Sequence, residues 1–163
     1  MRLSESIRPC VDVMFHNFET MLHTFDPQAE LFGIPLWKHA YHMLHSCDQW
    51  FINPNRYDEP LFHTPGLNSL DESVFEPCLD REDLLNYLAD IREKCRCYVD
   101  HLREEDWTQA PEGCAHTRIE LLLGQLRHAH THLGNINAVT MQQTGRWPRV
   151  VGLQKHVSGE LWE

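Results

Sequence analysis

The sequence feature that most constrains the fold is a long apolar helix pattern near the carboxyl end. Thr117 stands three residues before Glu120, which is the spacing of a capping box at a helix N-terminus, and Gly145 suits a helix C-terminus. The roughly 27 residues between them, at about 1.5 Å each, form a rod of roughly 40 Å. A helix that is apolar on nearly all sides is expected to be buried on several of them.

Three further stretches carry apolar residues at helical spacing. Pro9 is expected in the first turn of the first helix, and Asp80 is expected to cap the third. Almost no pattern typical of strands occurs elsewhere. These three predicted helices cover about residues 5–25, 36–52 and 80–102.

These four helices predict an all-α fold, a four-helix bundle formed as one domain by residues 1–163. The connection between helices two and three, about Asn53 to Leu79, is long, polar and rich in proline. Such a connection suits a crossover between parallel helices, so we predict an up-down-down-up arrangement. The tail from Trp147 is ambiguous, and we expect it to lie across the bundle with Val150, Val151 and Leu153 as packing residues.

Composition excludes several functional classes. The net charge of -10 argues against binding to nucleic acid or to anionic membrane surfaces, both of which require basic residues. No stretch approaches the length of a membrane span, and no signal peptide is evident at the N-terminus. The six cysteines form no disulfide framework and no CxxC pair, so we expect reduced thiols in a cytoplasmic protein.

Histidine spacing indicates a metal site. The chain has 12 histidines, and His128 and His132 are four residues apart on the fourth predicted helix. On a helical wheel both fall in the same sector as the apolar residues, whereas His130 falls on the far side. Two adjacent buried imidazoles require a shared partner or must stay neutral, so an ion between them is one solution.

A third ligand must come from another helix, and periodicity does not identify it. The second predicted helix offers His39, His42 and His45, and the first offers His16 and His23. The helical wheel of the second helix favours neither His42 nor His45.

Two motifs resemble those of a known family. On the second predicted helix, His42 is followed by an apolar pair and, six residues on, by Asp48. On the fourth, His128 and His132 are followed by Gly134, an amide and an apolar residue. Both patterns are similar to motifs of the DinB/YfiT-like metalloenzymes, and the third predicted helix resembles theirs as well. The resemblance spans most of the chain.

This resemblance implies an up-down-down-up bundle, often dimeric, with a three-histidine site for nickel, zinc or a similar divalent ion. It assigns His42, His128 and His132 as the ligands, with His45 as the alternative to His42. The chain departs from the family at Asn135, where Gln is commoner. That departure affects any role of the amide but not the ligands.

Three imidazoles leave one position on an ion open, where water or a thiol would bind. We therefore predict a metal-dependent enzyme that acts on a small molecule. The resemblance implies a hydrolase or a thiol-dependent transferase, with a low-molecular-weight thiol as one candidate. The alternatives are a non-catalytic metal- or ligand-binding bundle, and a bundle whose histidines only stabilise the fold. Zinc-protease chemistry is not expected, because Ala129 replaces the Glu of an HExxH motif.

Several neighbouring polar residues are candidates for supporting roles. Asp48, Gln125 and Asn135 are candidates to orient the imidazoles, although a solvated surface charge explains Asp48 more simply. Tyr41 and His45 are candidates for proton transfer, although packing roles are simpler. The apolar character of the fourth helix predicts a homodimer. The remaining histidines are interpreted as surface or loop residues: His16, His23, His63, His101, His116 and His156.

Overall fold

The computed structural model describes residues 2–71, 73–153 and 159–163. It confirms an all-α architecture in which four helices make up most of the described chain. Two short 3-10 segments, Pro54–Arg56 and Glu104–Thr108, lie in the connections. The helices are α1 Leu3–Thr24, α2 Leu36–Trp50, α3 Arg81–His101 and α4 Arg118–Thr144.

The ends of α3 and α4 follow the local sequence as predicted. The backbone N–H of Thr117 donates to the Glu120 carboxylate over 2.7 Å, and the backbone N–H of Glu120 donates back to the Thr117 hydroxyl. Gly145 follows α4 with a φ of 67°, in the left-handed region that glycine adopts without strain. At α3 the backbone N–H of Asp83 donates to the Asp80 carboxylate over 2.9 Å.

Helix α1 begins earlier than predicted. Its first residue is Leu3, so Pro9 lies inside the helix rather than in its first turn. The Glu5 carboxylate accepts the backbone N–H of Arg2 over 2.9 Å, and this bond fixes the start upstream of the proline. Pro9 removes a single helical hydrogen bond, and the helix continues past it because its apolar face is buried against the core.

A short hairpin, which the sequence analysis did not predict, leads into α2. Strand β1 (Glu30–Leu31) pairs antiparallel with β2 (Ile34–Pro35) around a two-residue turn. Phe32 and Gly33 have φ values of 55° and 75°, the left-handed pair that matches the twist of a tight hairpin. Two residues per strand are too few to show a period-2 pattern in the sequence.

The four helices close around one core. Helix α1 packs along α3, and α2 packs along α4, while contacts between α2 and α3 and between α1 and α4 complete the bundle. The guanidinium of Arg81, at the start of α3, donates to the carbonyls of Leu22 and Phe25 at the end of α1. Cys47 and Cys95 are both buried in this core.

The long connection between α2 and α3 lies against α2 and is held there by buried contacts. Leu67 is fully buried, and the Lys38 ammonium donates to the Val74 carbonyl over 2.8 Å. The prediction of a long connection in this place is confirmed. Its polar residues supply several of the contacts around the histidines described below.

The tail after α4 is anchored to α1 through Val151. The buried Asn17 side chain exchanges two hydrogen bonds with the backbone of Val151, at 2.8 and 2.9 Å. Val151 is buried as expected, but the prediction was wrong for Val150 and Leu153, which are exposed. The two hydrogen bonds between the Val151 backbone and the Asn17 side chain hold the tail against α1. Val150 and Leu153 are therefore not required to pack against the bundle. His156 lies outside the described residues.

Within the described residues, no helix combines the length and the apolar character required to cross a bilayer.

Candidate metal centre

Three imidazole rings from two helices meet between α2 and α4. The ring centroid of His132 lies 4.6 Å from that of His42 and 4.6 Å from that of His128, and the third separation is 5.3 Å. The Nε2 atoms of His128 and His132 are 3.2 Å apart. Each ring offers a nitrogen within 4.8 Å of the other two. The structure thus brings together the three residues that the sequence analysis named as ligands.

Local sequence explains why these rings converge. His128 and His132 stand one turn apart on α4, so their side chains project from the same face. Helix α2 presents His42 toward them, and one turn further along it the Ser46 hydroxyl donates to the side-chain oxygen of Gln125 over 3.2 Å. This hydrogen bond fixes the register of the two helices beside the three rings.

The Asn68 carbonyl oxygen orients His42. It lies 2.6 Å from Nδ1 of the His42 ring. Because a carbonyl only accepts, Nδ1 carries the proton in the neutral ring, and Nε2 is then the nitrogen that can bind a metal ion. Hydrogen bonding of the far ring nitrogen to a carbonyl is the usual way in which proteins orient a metal-binding histidine.

The two α4 histidines are held neutral. Burial, with smaller effects from His42, His128 and His39, lowers the pKa of His132 to about 4. Burial and then His42 lower the pKa of His128. At neutral pH both imidazoles are therefore uncharged, which is the state that a metal ligand requires.

The donor set and its spacing fit a divalent transition metal. Zinc–nitrogen bonds of about 2.0–2.1 Å in tetrahedral geometry place neighbouring nitrogens about 3.3 Å apart. The separation of 3.2 Å between the His128 and His132 Nε2 atoms agrees with that value. The buried Nδ1 atoms of His128 and His132 find no hydrogen-bond partner among the described residues. The distance between the two Nε2 atoms fits a shared ion as well as it fits a hydrogen bond between the rings.

The other candidates for the third ligand lie elsewhere. His39 bonds through Nε2 to the Leu31 carbonyl over 3.2 Å. His45, the alternative to His42, belongs to a separate group with Glu59 and His63. In the portion of the chain that the structure describes, the three-histidine group includes neither of the histidines proposed from α1.

The residues that were expected to orient the imidazoles have other partners. The Asp48 carboxylate accepts from the Tyr87 hydroxyl over 2.9 Å and pairs with Lys94 over 2.5 Å, so it is not the solvated surface charge that we favoured. Gln125 bonds to Ser46, and Asn135 is exposed. The orienting group is instead the Asn68 backbone carbonyl, for which the sequence carries no residue-specific signal. Only the unusual length of the connection indicated that it had a role.

His63 is more enclosed than predicted. It lies in the long connection, in agreement with its interpretation as a loop residue, but its side chain is only 11% exposed. The Tyr41 hydroxyl lies 2.7 Å from its Nδ1. The spacing of the sequence could not show this contact, because the 21 residues between the two positions include the second half of α2 and the start of the long connection.

Comparisons with protein-family models, with curated proteins and with solved structures found no match in any of the three.

The pKa shifts at this site predict how the stability of the metal-free protein depends on pH. Unfolding restores the ordinary histidine pKa of 6.5, so the unfolded chain binds protons first as the pH falls. The free energy of unfolding in the presence of a chelator should therefore be greatest above about pH 6.5 and decrease toward about pH 4. Urea titrations at several pH values should show a shallower decrease in the His132→Gln variant.

The matched control is His130→Gln, which removes an exposed histidine from the same helix. Its dependence on pH should follow that of the wild type. Superimposable curves for the wild type and His132→Gln would contradict the assignment of His132 as a buried neutral group.

Proposed function

We propose that this protein is a metal-dependent enzyme of the DinB/YfiT-like kind, with one divalent ion bound by His42, His128 and His132. The observation that carries the proposal is the convergence of three imidazole rings from two helices, with one ring already oriented by a backbone carbonyl. The three histidines would bind the ion, and the Asn68 carbonyl orients the His42 ring. None of the three donors is a carboxylate or a thiolate.

The composition of the donor set favours nickel or zinc. Imidazole nitrogens suit these borderline ions, whereas magnesium and calcium prefer oxygen ligands. Cys47 is fully buried and does not belong to the three-histidine group. Among the described residues, the group at this site consists of the three histidines.

An open coordination position supports an enzymatic role. Three protein ligands are typical of catalytic zinc sites, whereas structural sites have four. All three histidines are partly exposed, so a small molecule can reach them. When bound, the ion would lower the pKa of a water or thiol beside it and so supply a nucleophile at neutral pH. We infer hydrolysis or thiol-dependent group transfer on a small molecule as the reaction class.

Several finer features belong to this proposal and rest on the resemblance or on composition. They are the up-down-down-up order of the helices, a homodimeric state and a cytoplasmic location. The α4 helix presents an exposed face that includes Leu123, Thr131, Gly134 and Ala138, and Leu123 is 54% exposed. A second copy covering this face is the partner that the proposal favours.

One observation favours a second candidate, a non-catalytic metal-binding bundle. The Nδ1 atoms of His128 and His132 have no hydrogen-bond partner in the described parts of the chain, whereas catalytic metal sites normally orient each ligand. No carboxylate lies within the three-histidine group to act as a general base. Metal binding without turnover is therefore the alternative function, and experiments must distinguish it from catalysis.

The metal content of a single-site variant tests the proposed ligands. Tag-free wild-type protein from metal-supplemented cells should retain more nickel or zinc than His128→Gln, and the difference should be one equivalent per chain. The reason is that the variant lacks one of the three ligands. His130→Gln, two residues away and exposed, should match the wild type. Elemental analysis of dialysed protein makes the measurement. Equal metal content in the wild type and His128→Gln would exclude this ion site.

Spectroscopy of the loaded protein separates a site open to thiols from a closed one. Cobalt-loaded protein should develop a sulfur-to-metal charge-transfer band when 2-mercaptoethanol is added, because the open position admits the thiolate. The band per chain should be weaker in His128→Gln, which lacks one ligand of this site. If the cobalt spectrum of the wild type does not change at any thiol concentration, the thiol-transferase form of the proposal fails.

A further inference from the structure

A second group of metal-binding side chains lies beside the first, and we call it the His45 cluster. It consists of His45 on α2 together with Glu59 and His63 from the long connection. We infer that the His45 cluster is a second divalent-metal site, of a kind suited to zinc, separate from the three-histidine site. Nothing in the sequence patterns indicated it, because two of its members lie in irregular chain.

The geometry of the His45 cluster brings three donor atoms together. The Nε2 atom of His45 lies 2.6 Å from an oxygen of the Glu59 carboxylate, and the Nε2 atom of His63 lies 3.8 Å from the same oxygen. The two imidazole rings are stacked, with their centroids 5.0 Å apart. Two histidines and one glutamate form the ligand set of several catalytic zinc sites.

The outward nitrogens of both rings are engaged by the protein. The Tyr41 hydroxyl lies 2.7 Å from Nδ1 of His63, and the Asn68 side-chain amide lies 3.4 Å from Nδ1 of His45. Both Nε2 atoms are thereby directed to Glu59. Ligating histidines normally have such partners on the far nitrogen. The amide oxygen and nitrogen of Asn68 are interchangeable by a flip, so the Asn68 oxygen can accept a hydrogen bond from Nδ1–H of His45, as a ligand histidine would require.

Burial and charge in the His45 cluster suit an ion. His45 is 1% exposed, whereas the Glu59 side chain is 45% exposed and leaves an approach from solvent. Burial lowers the pKa of His45 although Glu59 opposes the shift, so the ring is neutral at physiological pH. A neutral imidazole next to a carboxylate is a ready ligand pair for a cation.

A simple hydrogen bond explains only part of this geometry. A bond from His45 to Glu59 accounts for the distance of 2.6 Å. It does not account for His63, whose Nε2 atom is directed at the same oxygen from 3.8 Å, too far for a hydrogen bond. A shared ion gives all three donor atoms a common partner.

The two sites meet at Asn68. Its backbone carbonyl accepts from His42 of the first site, and its side chain contacts His45 of the second. An ion in the His45 cluster would fasten residues 59–68 to α2 and so hold the carbonyl that orients His42. We therefore expect zinc in the second site to strengthen metal binding at the first.

Zinc stoichiometry tests the inference. Tag-free, metal-stripped protein is loaded with zinc chloride, dialysed and analysed for zinc per chain. The wild type should retain two equivalents, Glu59→Gln and His63→Gln one each, and His63→Gln/His128→Gln none. His116→Gln, which removes an exposed histidine, is the control and should retain two. Circular dichroism checks folding, and the exposed Glu59 provides a variant that leaves the core intact if His63→Gln unfolds.

The outcomes separate this inference from the proposed function. One equivalent that is lost in His128→Gln but retained in Glu59→Gln and His63→Gln would overturn the second site and leave the first. One equivalent that is lost in Glu59→Gln and His63→Gln but retained in His128→Gln would support the second site and remove the first. No retained zinc would overturn both.

Discussion

The packing of α2 against α4 is the interaction on which the candidate site depends. Neither helix could bind an ion alone in this way, since α4 supplies two imidazoles and α2 the third. The Ser46–Gln125 hydrogen bond holds the helices in register next to the rings. A shift of one residue along either helix would turn its histidines by about 100° and separate the donors.

This arrangement lowers the stability of the metal-free protein, and metal binding would offset that loss. The buried Nδ1 atoms of His128 and His132 are without partners among the described residues, and each unsatisfied polar atom costs about 1–3 kcal/mol. Burial also opposes protonation of both rings. Native proteins often tolerate such costs at functional sites, because selection acts on activity as well as on stability.

Sequence patterns predicted the helices better than the contacts between them. Capping residues such as Thr117 and Asp80 marked real helix ends, because a cap is a local hydrogen bond between residues three apart. The pair on α4 was predictable for the same reason. Periodicity did not choose between His42 and His45, since that choice depends on which face of α2 meets α4. Asn68 and His63 were beyond prediction, because irregular chain has no period and their contacts are tertiary.

The most direct measurement is anomalous diffraction from crystals of zinc-loaded protein, recorded above and below the zinc absorption edge. We predict a peak between α2 and α4, about 2.0–2.1 Å from ring nitrogens of His42, His128 and His132, with the fourth coordination position of the zinc ion open to solvent. A zinc-loaded crystal with no anomalous peak within bonding distance of these three rings would contradict it.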